Sequence, residues 1–465
     1  MLTYSFEDRG KLSLYEYLYK QIKNDIVSFR LSPDEKLPSK RELAKHLNIS
    51  TITVENAYAQ LVAEGYIYSK PKSGFYVAHI TSANNKNSQH TEAGQKSADI
   101  KNEFYADFVK NSTPKGASFF NIWTKLMRET MSDNPDKLMV NSPSVGIYEL
   151  RMEIAKYLFE FRGMNVLPEQ IVVGAGTEYL YGIIMQLLGH DKIYAVEDPG
   201  YSKIAKIYKA NSAKCVHIPL DKDGISVDAL NETQAEVLHI SPSHHFPTGI
   251  VTPVSRRYEL LSWASKSAYR YIIEDDYDSE FRFVGKPIPS LQSIDVLDKV
   301  IYINTFSKSL ASTIRISYMV LPKKLMDVYN RELGFYACTV STFEQYTLAS
   351  FIGKGYFEKH ISRMRNHYRN QRDLIMDCIK KHPCYNRVRI AEEDSGLHFL
   401  LHVDTTLTDE ELVYNAAKNG INISSLSQYY HEKKEMISHT LLINYSGVDG
   451  DKLEQAVELL FKGLW

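Results

Sequence analysis

The 465-residue sequence predicts an α/β protein led by a small helical module, on three observations. From Phe104 onward, short apolar runs at 171–173, 193–196, 237–240, 271–273 and 300–303 alternate with helical stretches. Runs of this length and spacing suit the buried strands of a mostly parallel sheet covered by helices. Ahead of them, Leu14, Leu18, Ile22 and Ile26 recur every four residues, so 12–30 reads as an amphipathic helix. Between the two regions, residues 81–98 are polar and almost devoid of large apolar side chains, too poor in burial to fold and suited to a flexible tether. The expected organisation is a first module over 11–78, a linker over 79–103 and a body over 104–465. A smaller lobe is expected from about 346, where long helices give way to strands near 397–402 and 441–445.

In the first module a second helix follows the loop Ser32-Pro-Asp34. Ser39, with Glu42 three residues on, forms a capping box, and Leu43, Ala44 and Leu47 lie behind it. A third helix starts after Ser50, burying Val54, Ala57, Tyr58 and Leu61. Its other face presents Thr51, Thr53 and Asn56, short polar groups suited to phosphates and base edges. Residues 66–70 and 75–78 then alternate around Pro71-Lys-Ser-Gly74 as a hairpin. Three helices and a hairpin make a winged helix-turn-helix. The order Leu37-Pro-Ser-Lys-Arg41-Glu-Leu-Ala, Ile49-Ser50, Thr53-Val54, Leu61 and Glu64-Gly65 resembles the GntR family of bacterial regulators. That resemblance implies DNA contacts from Ser39, Arg41, Thr51 and Thr53, with Lys70 and Lys72 reaching from the wing. Two positions depart from the family: Thr51 stands where an arginine is common, and Lys72 where the wing usually carries a second glycine. Residues 11–78 hold 10 Lys and Arg against 7 Asp and Glu, a local net of +3 in a chain of net −1, as a module meeting a polyanion requires.

The body carries its chemistry at strand ends. Ile272-Ile-Glu-Asp275-Asp-Tyr277 and Thr305-Phe-Ser-Lys308-Ser-Leu310, with Arg315 seven residues beyond the lysine, bring together an acid, a phenol, an amine and a guanidinium. These are the parts needed to hold a pyridoxal phosphate ring. Lys308 could form an imine with the aldehyde, and Asp275 could keep the pyridine nitrogen protonated. Tyr277 could bond the ring hydroxyl, and Arg315, with Thr305 and Ser307, would meet the phosphate. The joint pattern resembles fold-type-I aminotransferases. Ile171-Val-Val-Gly-Ala-Gly176-Thr177-Glu178 reads as a strand, a glycine turn and a helix start that cradles phosphate. In Glu197-Asp-Pro-Gly-Tyr201, the tyrosine falls where that family stacks an aromatic on the pyridine.

A GntR-type reader tethered to an aminotransferase-like body resembles the MocR/GabR group of transcriptional regulators. Pro242-Ser-His-His-Phe-Pro-Thr-Gly249, Ser395-Gly-Leu-His398, Gly420-Ile-Asn-Ile423 and Tyr429-Tyr430 agree with it. The resemblance implies a domain-swapped homodimer that binds direct or inverted promoter repeats and responds to a small amine or a B6 vitamer. By motif alignment, the arginines that hold the carboxylate in the GABA-sensing member fall at Lys203 and Asn422, which offer no paired guanidinium clamp. His245 replaces a glutamine common at its position. The same Lys308, Asp275 and Arg315 would also serve an aminotransferase with an accessory reader, and the sequence leaves that alternative open.

Composition excludes several classes. Cys215, Cys338, Cys378 and Cys384 lack CxxC spacing, which indicates neither a zinc site nor a disulfide framework, and no metal is expected. No segment approaches the roughly 20 apolar residues that span a bilayer. A cytoplasmic protein with no membrane association is the expectation.

Overall fold

The computed structural model describes residues 2–6, 9–10, 12–80, 104–111, 119–133, 135–283, 288–394, 396–433 and 436–465. The expected tether lies outside the described residues from position 81 on, as does Ser395. The chain forms two compact units, Met1–Ile100 and Lys101–Trp465.

The first unit contains α1 (Leu14–Val27), α2 (Lys40–Leu47), α3 (Thr51–Ala63), β1 (Ile67–Lys70) and β2 (Gly74–Val77). Helix α1 is shorter than the 12–30 expected, because Ser13 and Glu16 close a capping box at its start and Phe29 turns left-handed beyond its end. Ser39 and Glu42 form the expected box on α2, and the Ser50 side chain accepts the Thr53 N–H at the start of α3. Asn48, at φ 54°, makes the left-handed turn between these two helices. Leu18, Ile22, Leu43, Val54, Leu61 and Ile67 fill the core, and the buried Tyr58 donates its hydroxyl to the Pro38 carbonyl at 3.0 Å. In the hairpin Ile67 pairs with Val77 and Lys70 with Gly74.

The second unit is built on an eight-stranded sheet. Its order is Ile171–Gly174, Ser317–Val320, Val300–Thr305, Tyr271–Asp275, Val237–Ile240, Ile193–Asp198, Lys214–Asp221 and Gly224–Ile225. Ser317–Val320 runs antiparallel between two strands, Gly224–Ile225 is an antiparallel edge, and the other pairings are parallel. The central strands Val237–Ile240 and Val300–Thr305 are buried on both faces, as apolar runs without alternation require. Because four strands share one direction, Gly174, Asp198, Asp275 and Thr305 come out at the same edge of the sheet, where α/β proteins place their ligands.

The smaller lobe has a four-stranded antiparallel sheet of Val388–Ala391, His398–Val403, Thr440–Asn444 and Ser424–Ser425, in that order. Its limits differ from the expected start near 346. The helix Thr342–Gly353 packs into the large-lobe core through Leu348 and Phe351. The long helix Tyr356–Lys381 serves both lobes, with Phe357 and Ile361 in one core and Met364, Ile375 and Ile379 in the other. Residues 106 and 107 pair with Ile421 and Asn422, so the start of the body closes the smaller lobe. A pairing between positions so far apart in sequence leaves no local signal.

The wing turn yields a test. Lys72 holds φ 60°, a left-handed conformation that costs a side-chain-bearing residue roughly 1–2 kcal/mol. Lys72→Gly should therefore raise the melting temperature of the first unit's transition slightly while weakening DNA binding through loss of a cation. A lower melting temperature would show that the lysine side chain supports the wing.

Candidate functional site

The shared strand edge opens into a cavity of about 410 Å³. Thr177, Glu178, Tyr201, Asp275, Tyr277, Thr305, Ser307, Lys308 and Arg315 all line it, and so does Lys203. Asp275 sits on its floor, buried, at the end of Tyr271–Asp275. One carboxylate oxygen takes the Tyr181 hydroxyl and lies 3.6 Å from His239 Nε2. Burial and then the Asp275 charge hold Tyr181 far above its ordinary range, so it stays a donor. The other oxygen, Oδ1, is buried without a partner. An unanswered carboxylate oxygen in a cavity wall is the acceptor that a protonated pyridine nitrogen requires.

Lys308 stands in the short helix Phe306–Ser309 that follows Thr305. Burial lowers its amine below the usual lysine range, against the opposing pull of Asp278 and Asp275. The phosphate end is equally explicit. Gly176 has φ 94° and opens the helix Thr177–Leu188, whose start has no side-chain cap. A Cβ at Gly176 would lie 2.5 Å from an Arg315 guanidinium nitrogen, so only glycine lets the arginine reach the helix N-terminus. An uncapped helix start beside a half-exposed guanidinium is a phosphate cradle. The residues present therefore fit pyridoxal phosphate at the ring, the amine and the phosphate.

The expected hydroxyls are partly committed elsewhere. Thr305 Oγ1 accepts the Ser307 N–H at 3.1 Å and the Ser317 hydroxyl at 2.8 Å, while the Ser307 hydroxyl donates to the Ile314 carbonyl at 2.8 Å. The Tyr277 hydroxyl lies 3.2 Å from His244 Nδ1, which is itself 2.8 Å from Asp278. Tyr201 is half exposed and meets the Phe246 ring edge-on at 5.9 Å.

The two proposed effector positions part company. Lys203 lines the cavity but is tightly paired with Glu178. Asn422 is not among the lining residues and instead pairs with Asp107 in the smaller lobe. The asparagines that do line the cavity are Asn111 and Asn444, joined at 2.7 Å. Sequence reasoning also missed Tyr181, His239, Glu197 and Asp278. Of these only Tyr181 had a usable signal, lying one helical turn beyond Thr177 and hence on the same face.

In the first unit, the Ser39 hydroxyl accepts the Glu42 N–H at 3.2 Å, and Thr53 bonds Ser50 at 2.8 Å. Arg41, Thr51, Lys70 and Lys72 are exposed. Lys70 lies over the Tyr76 ring at 4.5 Å, while Lys40 bridges α2 and α3 through Glu55 at 2.6 Å. Ile52, 68% exposed on the first turn of α3, was not singled out by its sequence and offers an apolar contact suited to a thymine methyl.

In the cavity wall, Glu197 accepts the Ser241 N–H at 3.1 Å and lies 3.5 Å from His245 Nε2. Burial pushes its carboxyl up from 4.5 to about 8 and pushes His245 down to about 3, so both are neutral near pH 7. Because the Glu197 value is raised in the fold, its contribution is complete below about 4.5 and is lost as pH rises through about 8. Glu197→Gln keeps an acceptor for Ser241. In cofactor-free protein, its melting temperature should fall less than the parent's between roughly pH 5 and pH 9. Parallel pH profiles would mean that Glu197 is ionised in the fold.

Residues 113–460 match aminotransferase class I and II, and residues 14–77 match bacterial regulatory proteins, gntR family. The chain is 38% identical over 458 residues to the HTH-type transcriptional regulator YdeL of Bacillus subtilis (strain 168), covering 98% of this chain and 97% of that protein. It is 29% identical over 462 residues to the probable rhizopine catabolism regulatory protein MocR of Rhizobium meliloti, covering 96% and 93%. The body is similar in fold to kynurenine aminotransferase from Pyrococcus horikoshii, with a TM-score of 0.67 at 23% identity over 78% of this chain and 91% of that one. The chain thus belongs to the aminotransferase class I and II family through its body and, with its GntR-type winged helix-turn-helix, to the MocR/GabR group of pyridoxal-phosphate-dependent transcriptional regulators.

Proposed function

We propose that this protein binds promoter DNA through its first unit and reads, at Lys308, either a small amine or the supply of the B6 vitamer itself. The observation that carries this reading is the half-satisfied Asp275 beside a buried, easily deprotonated lysine, in a chain that also carries a DNA reader. When bound, pyridoxal phosphate supplies an aldehyde that condenses with amines and a ring that withdraws electrons. The chain's own groups do the rest. Burial favours the free amine of Lys308, the nucleophilic form. Asp275 Oδ1 would hold a proton at the ring nitrogen, and Tyr181 keeps the carboxylate oriented through its other oxygen. Arg315 and the N–H groups at Thr177 and Glu178 would hold the phosphate.

The same groups would serve transamination, so the reader decides for regulation: a catalyst gains nothing from a winged helix. Differential affinity of the ligand for two arrangements of the protein would change DNA occupancy. A domain-swapped homodimer on direct or inverted repeats, in the cytoplasm, completes the reading. It is supported by the resemblance to the MocR/GabR group and by the absence, among the described residues, of a helix long and apolar enough to cross a membrane.

Borohydride treatment of the cofactor-loaded protein should fix a pyridoxyl group on Lys308, located by peptide mass. Lys308→Ala should lose that link while keeping some cofactor through the phosphate contacts. Arg41→Ala should weaken promoter binding and lower its salt slope by about one, with cofactor binding intact. A pyridoxyl group on another lysine, or promoter binding indifferent both to cofactor and to every amine tried, would overturn the reading.

A further inference from the structure

Resting on that reading, we propose that the ligand recognised in this cavity is an amine without a carboxylate, bearing a neutral hydrogen-bonding group such as a hydroxyl or amide where an amino acid bears its acid.

Among the described residues, the cations lining the cavity are Lys203, Lys308 and Arg315, and each has a prior commitment. Lys308 serves the cofactor aldehyde. Arg315 lies against Gly176, at the helix start that receives the phosphate. Lys203 is bound to Glu178, and each holds the other in its charged form: the Glu178 hydrogen bond raises Lys203, and the Lys203 hydrogen bond lowers Glu178. No lining cation is left for a second anion.

The smaller-lobe wall is neutral. Asn444 Nδ2 donates to Asn111 Oδ1 at 2.7 Å, and Asn444 Oδ1 accepts the Ser446 N–H at 3.0 Å and its hydroxyl at 2.7 Å. Those bonds hold the Asn444 amide in place and occupy the oxygen of Asn111, so the Asn111 amide offers its Nδ2 end as a donor. His398 donates from Nε2 to the Pro247 carbonyl at 3.1 Å, which leaves Nδ1 as an acceptor. Burial, followed by the nearby His244, pushes His398 down to about 3, so the ring carries no charge at neutral pH. Phe246 meets Tyr429 edge-on at 5.1 Å and Tyr201 at 5.9 Å, an aromatic cluster suited to carbon or to a cationic amine.

A carboxylate entering here would lose water and meet one neutral amide donor, an imidazole acceptor and aromatic faces. An anion that sheds water without meeting a cation is penalised more than a neutral hydroxyl, and the cavity wall offers the exposed Asn111 amide and the buried His398 ring to the latter. The floor adds to the bias, because Asp275 and Asp278 already line the cavity.

The test uses full-length, cofactor-loaded protein and matched pairs: 4-aminobutanol against 4-aminobutyrate, and alaninol against alanine. Cofactor absorbance and melting temperature are followed in each titration. The alcohol of each pair should act at a concentration roughly tenfold or more below its acid. Glu178→Gln, which releases Lys203, should narrow that gap, and so should Asn444→Arg, which adds a guanidinium to the opposite wall. An acid that acts at the same or lower concentration than its alcohol in the parent overturns the inference, as does a gap that neither variant narrows. Failure of the underlying reading looks different: there, borohydride fixes no cofactor on Lys308, and neither member of any pair has an effect.

Discussion

Three consecutive buried carboxylates, Glu274, Asp275 and Asp276, stand at the end of one strand, and the site depends on how they are kept apart. Adjacent side chains of a strand point to opposite faces, so the middle acid is separated from its neighbours by geometry before any partner is chosen. Glu274 accepts the N–H groups of Leu291 and Gln292 at 2.7 and 2.8 Å. Asp276 pairs with Arg162 at 3.0 Å and accepts the Tyr302 hydroxyl at 2.6 Å. Glu274 thereby has both oxygens occupied, and Asp276 has a guanidinium against one of its own. Asp275 and Asp276 each keep a buried Oδ1 without a partner, but Asp276 has the Arg162 guanidinium to balance its charge, whereas Asp275 lines the cavity, where a bound cationic group would complete it.

The same division explains why a single strand end can be both rigid and reactive. Arg162 is buried and donates to the Ile288 carbonyl and the Ser243 hydroxyl, at 2.6 and 2.8 Å, besides holding Asp276. Loop, helix and strand are therefore tied together at Asp276, one residue beyond Asp275. Tyr181 and His239 close the side facing the sheet. The positioning is supplied by residues far from one another in sequence, while the reactive atoms come from two strand ends joined in register, with Ile303 opposite Asp275.

Where one segment supplied a signal, the sequence was readable. The strand expected at 171–173 and the capping box at Ser39 needed only local pattern. Groups set by long-range pairing were not readable. Asn422 and Asn444 are the same residue type near strands of the same lobe, yet the first is drawn into pairing with Asp107 and the second lines the cavity. Motif spacing cannot distinguish them, because what separates them is how the start of the body folds back onto the smaller lobe. The lobe boundary was misplaced for a related reason: the helix Tyr356–Lys381 is periodic throughout, and only its packing reveals that its first turns belong to one core and its later turns to another.

Glu178 shows how one exposed residue can sort two cations that composition treats alike. Its contact with Lys203 is close, whereas its nearest approach to Arg315 is 3.8 Å, at the outer limit of an ion pair. Arg315 remains half exposed beside an uncapped helix start, where helix N–H groups and a forked guanidinium would act together on a phosphate. Lys203 has no such second attraction and stays with its acid. The cavity mouth is therefore asymmetric: Arg315 is the lining cation there that is not tightly paired with an acid. That asymmetry follows from the side on which one glutamate lies closest.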